Sequence, residues 1–218
     1  MGRVLSFLLG PLYGSYLTLR YVDEFTKFPA IRFHGNLIRV RVSKSKGARI
    51  IMRGVLTVEP WMSGRNGSCL SLGAGALLEM KGDFTIGDDV RISVHPKGKL
   101  TIGGRRSESA SGITMRSVVL AHTRVEIGTD VIIGWDTLIT DCDWHTLGTQ
   151  SCHEDTVVGD HVWIASGARV LKGARIGRDS VVAAQSVVLA GEYPSNSLVA
   201  GAPATVKRKP IEPWTREI

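Results

Sequence analysis

Aliphatic residues recur at every sixth position through the second half of the chain. Val158, Ile164, Val170, Ile176, Val182 and Val188 keep this spacing without a slip. Four residues after each of the first five stand Val162, Ala168, Ala174, Ser180 and Ser186. Directly after the aliphatics come Gly159, Ala165, Leu171, Gly177, Ala183 and Leu189, small in four of six cases. Upstream, Ile127, Ile133 and Ile139 are followed by Gly128, Gly134 and Thr140, and the same grammar appears at Ile86-Gly87 and Ile102-Gly103. A period of six is not helical, but it contains the strand period three times. It predicts short flat strands joined by bends, with one large and one small inward residue per repeat. Three such strands close a triangular coil of eighteen residues, so Val158 lies under Ile176, Ile164 under Val182 and Val170 under Val188. The coils are stacked roughly 4.8 Å apart. A small residue after each aliphatic then answers to crowding at the corner. The aliphatics themselves are core.

The N-terminal stretch Val4 to Leu19 is mostly apolar and uncharged, but Gly10, Pro11 and Gly14 interrupt it. It falls short of the roughly 20 apolar residues that cross a bilayer as a helix, and no A-x-A cleavage pattern follows it. The expectation is a short helical hairpin or capping segment over residues 1–35, with peripheral membrane contact as the alternative. From Arg20 to His34 no site or repeat is visible. The run Arg105 to Gly112 reads as a polar loop interrupting a coil. Residues 36–206 form the repeat domain, with a loop at 141–157, and 207–218 form a basic tail.

The chain has 218 residues, 43% hydrophobic and 6% aromatic, with 25 glycines. That suits a single domain of regular β structure and excludes a disordered chain or a polytopic membrane protein. Its net charge of +7 favours anionic partners. The positive residues are spread from Arg3 to Arg216 without interleaved aromatics, which argues against nucleic acid. Cys69, Cys142 and Cys152 are odd in number and form no CxxC pair, so they read as free thiols of a reducing, cytoplasmic setting.

Between Ile127 and Val188 the period breaks once. After Ile139 the next corner falls due at position 145, but the chain reads Thr140-Asp141-Cys142-Asp143-Trp144-His145-Thr146-Leu147-Gly148 and the period returns only at Val158. An excursion from a solenoid lies on its surface and often forms the binding face. His145 at the root of such a loop is a candidate general base, with Asp143 or Asp141 close enough in sequence to fix its tautomer. Trp163 follows the inward Val162 and points outward.

These repeats resemble those of the hexapeptide-repeat acyltransferases, whose fold is a left-handed parallel β-helix. The resemblance covers Ile86 to Arg208 well and Asn36 to Phe84 loosely, through Leu37 to Val42 and Leu70 to Gly73. Val162-Trp163-Ile164-Ala165-Ser166-Gly167 and Asn196 to Ala204 resemble the closing coils of the sugar O-acetyltransferase branch, and the Asp-x-Asp-x-His string resembles the catalytic segment of polysaccharide O-acetyltransferases. The all-β fold is thus expected to be left-handed, a hand that comes from the resemblance alone.

The resemblance implies acetyl-CoA as donor, a homotrimer with the donor between subunits, a sugar or polysaccharide acceptor, and no metal. It implies His145 as base, Trp163 and Trp144 in the acetyl or acceptor pocket, and backbone contacts to the pantetheine arm at Ser166 and Ala184. A backbone N–H near Ser166 would be the oxyanion donor. Lys207 and Arg208 would meet CoA phosphates. The related β-helical carbonic anhydrases require two histidines five residues apart, and none of His34, His95, His122, His145, His153 and His161 are so spaced. Some features depart from the galactoside enzymes. Ala190 and Thr205 stand where basic residues are usual, so Lys172 or Arg178 could take their place. No asparagine occurs near Thr114 to hold an acceptor. Surface-polysaccharide O-acetylation at the inner face of a membrane is the leading expectation. N-acetylation of an amino sugar or nucleotide sugar, and a non-catalytic trimeric scaffold, are the alternatives.

Overall fold

The computed structural model describes residues 2–35, 39–61, 67–105 and 111–215, with the backbone alone over 2–8. Leu37, Ile38 and residues 106–110 of the polar run lie outside the described residues. Among those described, one helix, α1 (Gly2–Tyr21), precedes a chain of short strands wound into three parallel sheets. The first face runs from Glu24–Phe25 to Gly191–Tyr193, the second from Ile31–Phe33 to Leu198–Gly201, and the third from Val40–Lys44 to Val187–Val188. The expected parallel β-helix is the fold observed. Val158 pairs with Ile176, Ile164 with Val182 and Val170 with Val188, the register that the period of six demands.

Inward positions are filled as the pattern requires. Ile164, Val170, Val182 and Val188 are fully buried, and so are the small partners Val162, Ala168, Ala174 and Ser180. The corner glycines are fixed by contact with the next coil. A Cβ on Gly177 would stand 2.3 Å from the backbone nitrogen of Ser195, which belongs to the coil above and cannot retreat without opening the ladder. Gly177→Ala is therefore expected to cost about 1–3 kcal/mol, read as a lowered midpoint in chemical unfolding with an unchanged dependence on denaturant.

The N-terminal region narrows one expectation and corrects another. Of the helical hairpin or capping segment expected, the apolar stretch takes the second form, one continuous helix through Gly10, Pro11 and Gly14. Gly14 serves docking here: a Cβ on it would lie 2.3 Å from the carbonyl oxygen of Ile31, so glycine alone lets the helix lie on that strand. Thr18 completes the contact, its hydroxyl accepting from Ile31 N at 3.1 Å, and Tyr13 Oη donates to the Val40 carbonyl at 2.8 Å. The winding also starts before residue 36, since Glu24–Phe25 and Ile31–Phe33 already pair with Ile51–Met52 and Leu56–Val58. At the other end, Ala204–Arg208 turns back antiparallel on Leu198–Gly201, so the expected tail boundary at 207 falls inside a strand.

Candidate active site

The break in the period is a hairpin standing at the corner between the third and first faces. Asp143 N donates to the Cys152 carbonyl at 2.7 Å and Glu154 N to the Asp141 carbonyl at 3.0 Å, so the two arms of the excursion hold each other. Lys172, from the following coil, ties the arms together by an ion pair to Asp143 Oδ2 at 2.6 Å and a hydrogen bond to the Ser151 carbonyl at 2.6 Å. His145 is exposed beyond this brace.

The aspartates do something other than orient His145. Asp141 is fully buried, and its carboxylate accepts from the backbone N–H groups of His122, Thr123 and Arg124 at 2.6–2.7 Å and from the Thr123 hydroxyl at 3.0 Å. It clamps the root of the hairpin to the coil beneath. Asp143 is engaged by Lys172. No hydrogen bond joins either carboxylate to His145 among the described residues. The reason is register: both side chains meet neighbours from adjacent coils before they can meet a residue two to four positions along their own loop.

Trp144, at a positive φ of 65°, folds back on an aromatic column that the sequence reading missed. His95 and His122 stack with ring centres 4.8 Å apart, and His122 stacks on His153 at 5.3 Å. Trp144 meets His95 edge-on at 4.7 Å. Burial, together with the neighbouring His122, holds the His95 imidazole below the usual histidine range, against an opposing pull from Asp141. Burial likewise pushes the Cys142 thiol up. A signal for this column was available: His95 and His122 each directly follow the paired strand ends Val94 and Ala121, one coil apart.

The remaining candidates lie elsewhere. Trp163 projects from the second face, as alternation predicted, and is 41% exposed. No ring contact joins it to the hairpin among the described residues. Instead it borders a cleft of about 480 Å³ with Trp61 and Trp214, over the stacked outward positions Thr85, Gly112 and Ile132. Trp214 comes from the C-terminal segment. Its ring stacks on His161 at 4.2 Å and its Nε1 donates to the His161 carbonyl at 3.0 Å. Ser166 and Ala184 occupy equivalent positions of successive coils, at the corner between the second and third faces. Gln185 N donates to the Ser166 carbonyl at 3.0 Å, while the N–H groups of Ser166 and Ala184 donate to no backbone acceptor among the described residues. Lys207 and Arg208 are exposed on the last strand and form no ion pair among those residues. The chain thus keeps His145 at one edge of the third face and Ser166 and Ala184 at the other. No cluster of potential metal ligands occurs among the described residues.

Three parallel sheets around a core of period six define a hexapeptide-repeat β-helix, and the chain carries that repeat: residues 155–190 match the family model described as bacterial transferase hexapeptide (six repeats). It is 28% identical over 124 residues to a galactoside O-acetyltransferase of Lactococcus lactis, covering 53% of this chain and 59% of that one. It is 34% identical over 103 residues to WbbJ of Escherichia coli K12, named for O-acetyl transfer in lipopolysaccharide biosynthesis, covering 39% of this chain and 50% of that one. The chain spans at most 59% of the length of these curated relatives. The crystal structure of the polySia-specific acetyltransferase NeuO shares the fold, with a TM-score of 0.55 at 19% identity over 90% of this chain and 88% of that one.

Proposed function

We propose that the protein transfers an acetyl group from acetyl-CoA to a saccharide hydroxyl, with His145 as general base, at a site completed by a second subunit of a homotrimer. The observation that carries this reading is the braced hairpin, which presents an exposed imidazole at a corner where the winding is interrupted. The names of the relatives, galactoside and lipopolysaccharide O-acetyltransferases, support acetyl transfer to a sugar. The separation of His145 from Ser166 and Ala184 across the third face supports a neighbouring protomer bringing them together.

In this reading neutral His145 takes the proton of the acceptor hydroxyl as its oxygen attacks the thioester carbonyl carbon. The C–S bond then breaks, and the imidazolium returns the proton to the departing sulfur. The products are an O-acetyl ester and CoA thiol. A backbone N–H at the Ser166 corner is aimed before substrate arrives and stabilises the oxyanion at little reorganisation cost. The exposed cations of Lys207 and Arg208 suit the phosphates of CoA. Trp163 and Trp144 offer flat apolar faces to the acetyl or acceptor group.

The test is release of free thiol from acetyl-CoA in the presence of acceptor oligosaccharides. The double variant Lys207→Ala/Arg208→Ala is expected to raise KM for acetyl-CoA about tenfold, equivalent to about 1.4 kcal/mol, with kcat little changed. Thiol release absent with every saccharide, together with no thermal shift on adding CoA, would return the protein to the scaffold class.

A further inference from the structure

We propose that helix α1 seats the protein on an anionic membrane surface. The helix uses one side to dock, burying Gly10, Gly14, Leu17 and Thr18 against the first coils. Its opposite side carries Leu9, Leu12, Tyr16 and Leu19, which are 43%, 68%, 54% and 69% exposed. Spacings of three, four and three residues place all four on one stripe of a helix. A surface helix of a free-standing soluble domain turns its leucines inward; here the inward side is already satisfied and the leucines are left over.

Charge decides what covers them. The helix contains no acidic residue, and Arg20 follows directly after Leu19. Beside that end, Arg20, Lys44 and Lys46 line a shallow concavity of about 350 Å³ together with Tyr21 and Gly47. Lys44 is held by Asp23 Oδ2 at 2.6 Å and by the Tyr21 carbonyl at 3.0 Å. Arg20 and Lys46 form no ion pair among the described residues. Apolar side chains flanked by cations that meet no carboxylate among the described residues, Arg20 and Lys46, match acyl chains flanked by anionic headgroups. A second copy of the chain is a poorer occupant, because apposed helices would offer each other's arginine no carboxylate. No described helix is long and apolar enough to cross a membrane, so α1 would lie in the plane of the surface.

The test is sedimentation of the full chain with vesicles of phosphatidylcholine, with and without added phosphatidylglycerol. Co-sedimentation is expected only with the anionic vesicles, and it should weaken as salt is raised. The double variant Leu12→Glu/Leu19→Glu changes two exposed side chains, so its circular dichroism and melting should match the parent. Its vesicle binding is expected to fall at least about tenfold, since it loses apolar contact and gains repulsion. Arg20→Glu/Lys46→Glu should lose the preference for phosphatidylglycerol. Parent protein that stays in the supernatant with anionic vesicles overturns the proposal. So does a stripe variant that binds as before, or one whose only change is a smaller assembly on size exclusion, which would make the stripe a contact between copies. The readout requires no acetyl transfer, so it stands or falls apart from the reading of His145.

Discussion

Replacing His145 by alanine is expected to lower acetyl transfer by about 10²- to 10⁴-fold, the usual contribution of a positioned general base, while leaving fold and assembly as they were. The two halves of this expectation have separate grounds. His145 is exposed and forms no hydrogen bond or ion pair among the described residues, so the folded state loses nothing when the ring is removed. Its place is nonetheless fixed: the hairpin beneath it is held by its own cross-arm hydrogen bonds and by Lys172, which reaches both arms at 2.6 Å. A base held in advance of substrate is one whose removal is felt in kcat. Measurement pairs thiol release at saturating acetyl-CoA with melting and size exclusion. A variant with full turnover removes the assignment, and one that melts early makes any loss of activity uninformative about chemistry.

The solenoid was legible because its rule is local and repeated. Each aliphatic has its partner eighteen residues on, and the observed pairs Ile164 with Val182 and Val170 with Val188 need no information beyond that spacing. Four things escaped for a common reason, that no repeated spacing points to their partners. Gly10, Pro11 and Gly14 read as breaks, yet Gly14 is a docking surface whose purpose is the carbonyl of Ile31. The region from Arg20 to His34 shows no period because the first coils are longer than eighteen: Glu24 pairs with Ile51 and Ile31 with Leu56. Asp141 lies four residues from His145, which suggests a catalytic partnership. Its actual partners are His122, Thr123 and Arg124, one coil below. The cleft of Trp61, Trp163 and Trp214 joins three segments that no motif links.

Asp141→Ala is expected to be the most destabilising single substitution at the hairpin, costing about 1–3 kcal/mol, with activity lost at temperatures well below the parent's melting point. The carboxylate is fully buried, and its two oxygens satisfy three backbone N–H groups and one hydroxyl at the corner formed by residues 122–124. Alanine would remove the acceptor that three backbone N–H groups and a hydroxyl share at a part-buried corner, leaving those donors short of partners. Asp141→Asn keeps one acceptor oxygen but turns an NH₂ group toward donors, so it should fall between the parent and alanine. Asp143→Ala supplies the contrast. Its partner Lys172 is near the surface and keeps the Ser151 carbonyl, so the loss should stay within about 1 kcal/mol. Chemical unfolding of the three variants orders them alanine at 141, asparagine at 141, alanine at 143. If Asp141→Ala melts with the parent and fails only in turnover, the carboxylate acts on the chemistry after all, and its hydrogen bonds to the coil beneath do not anchor the hairpin.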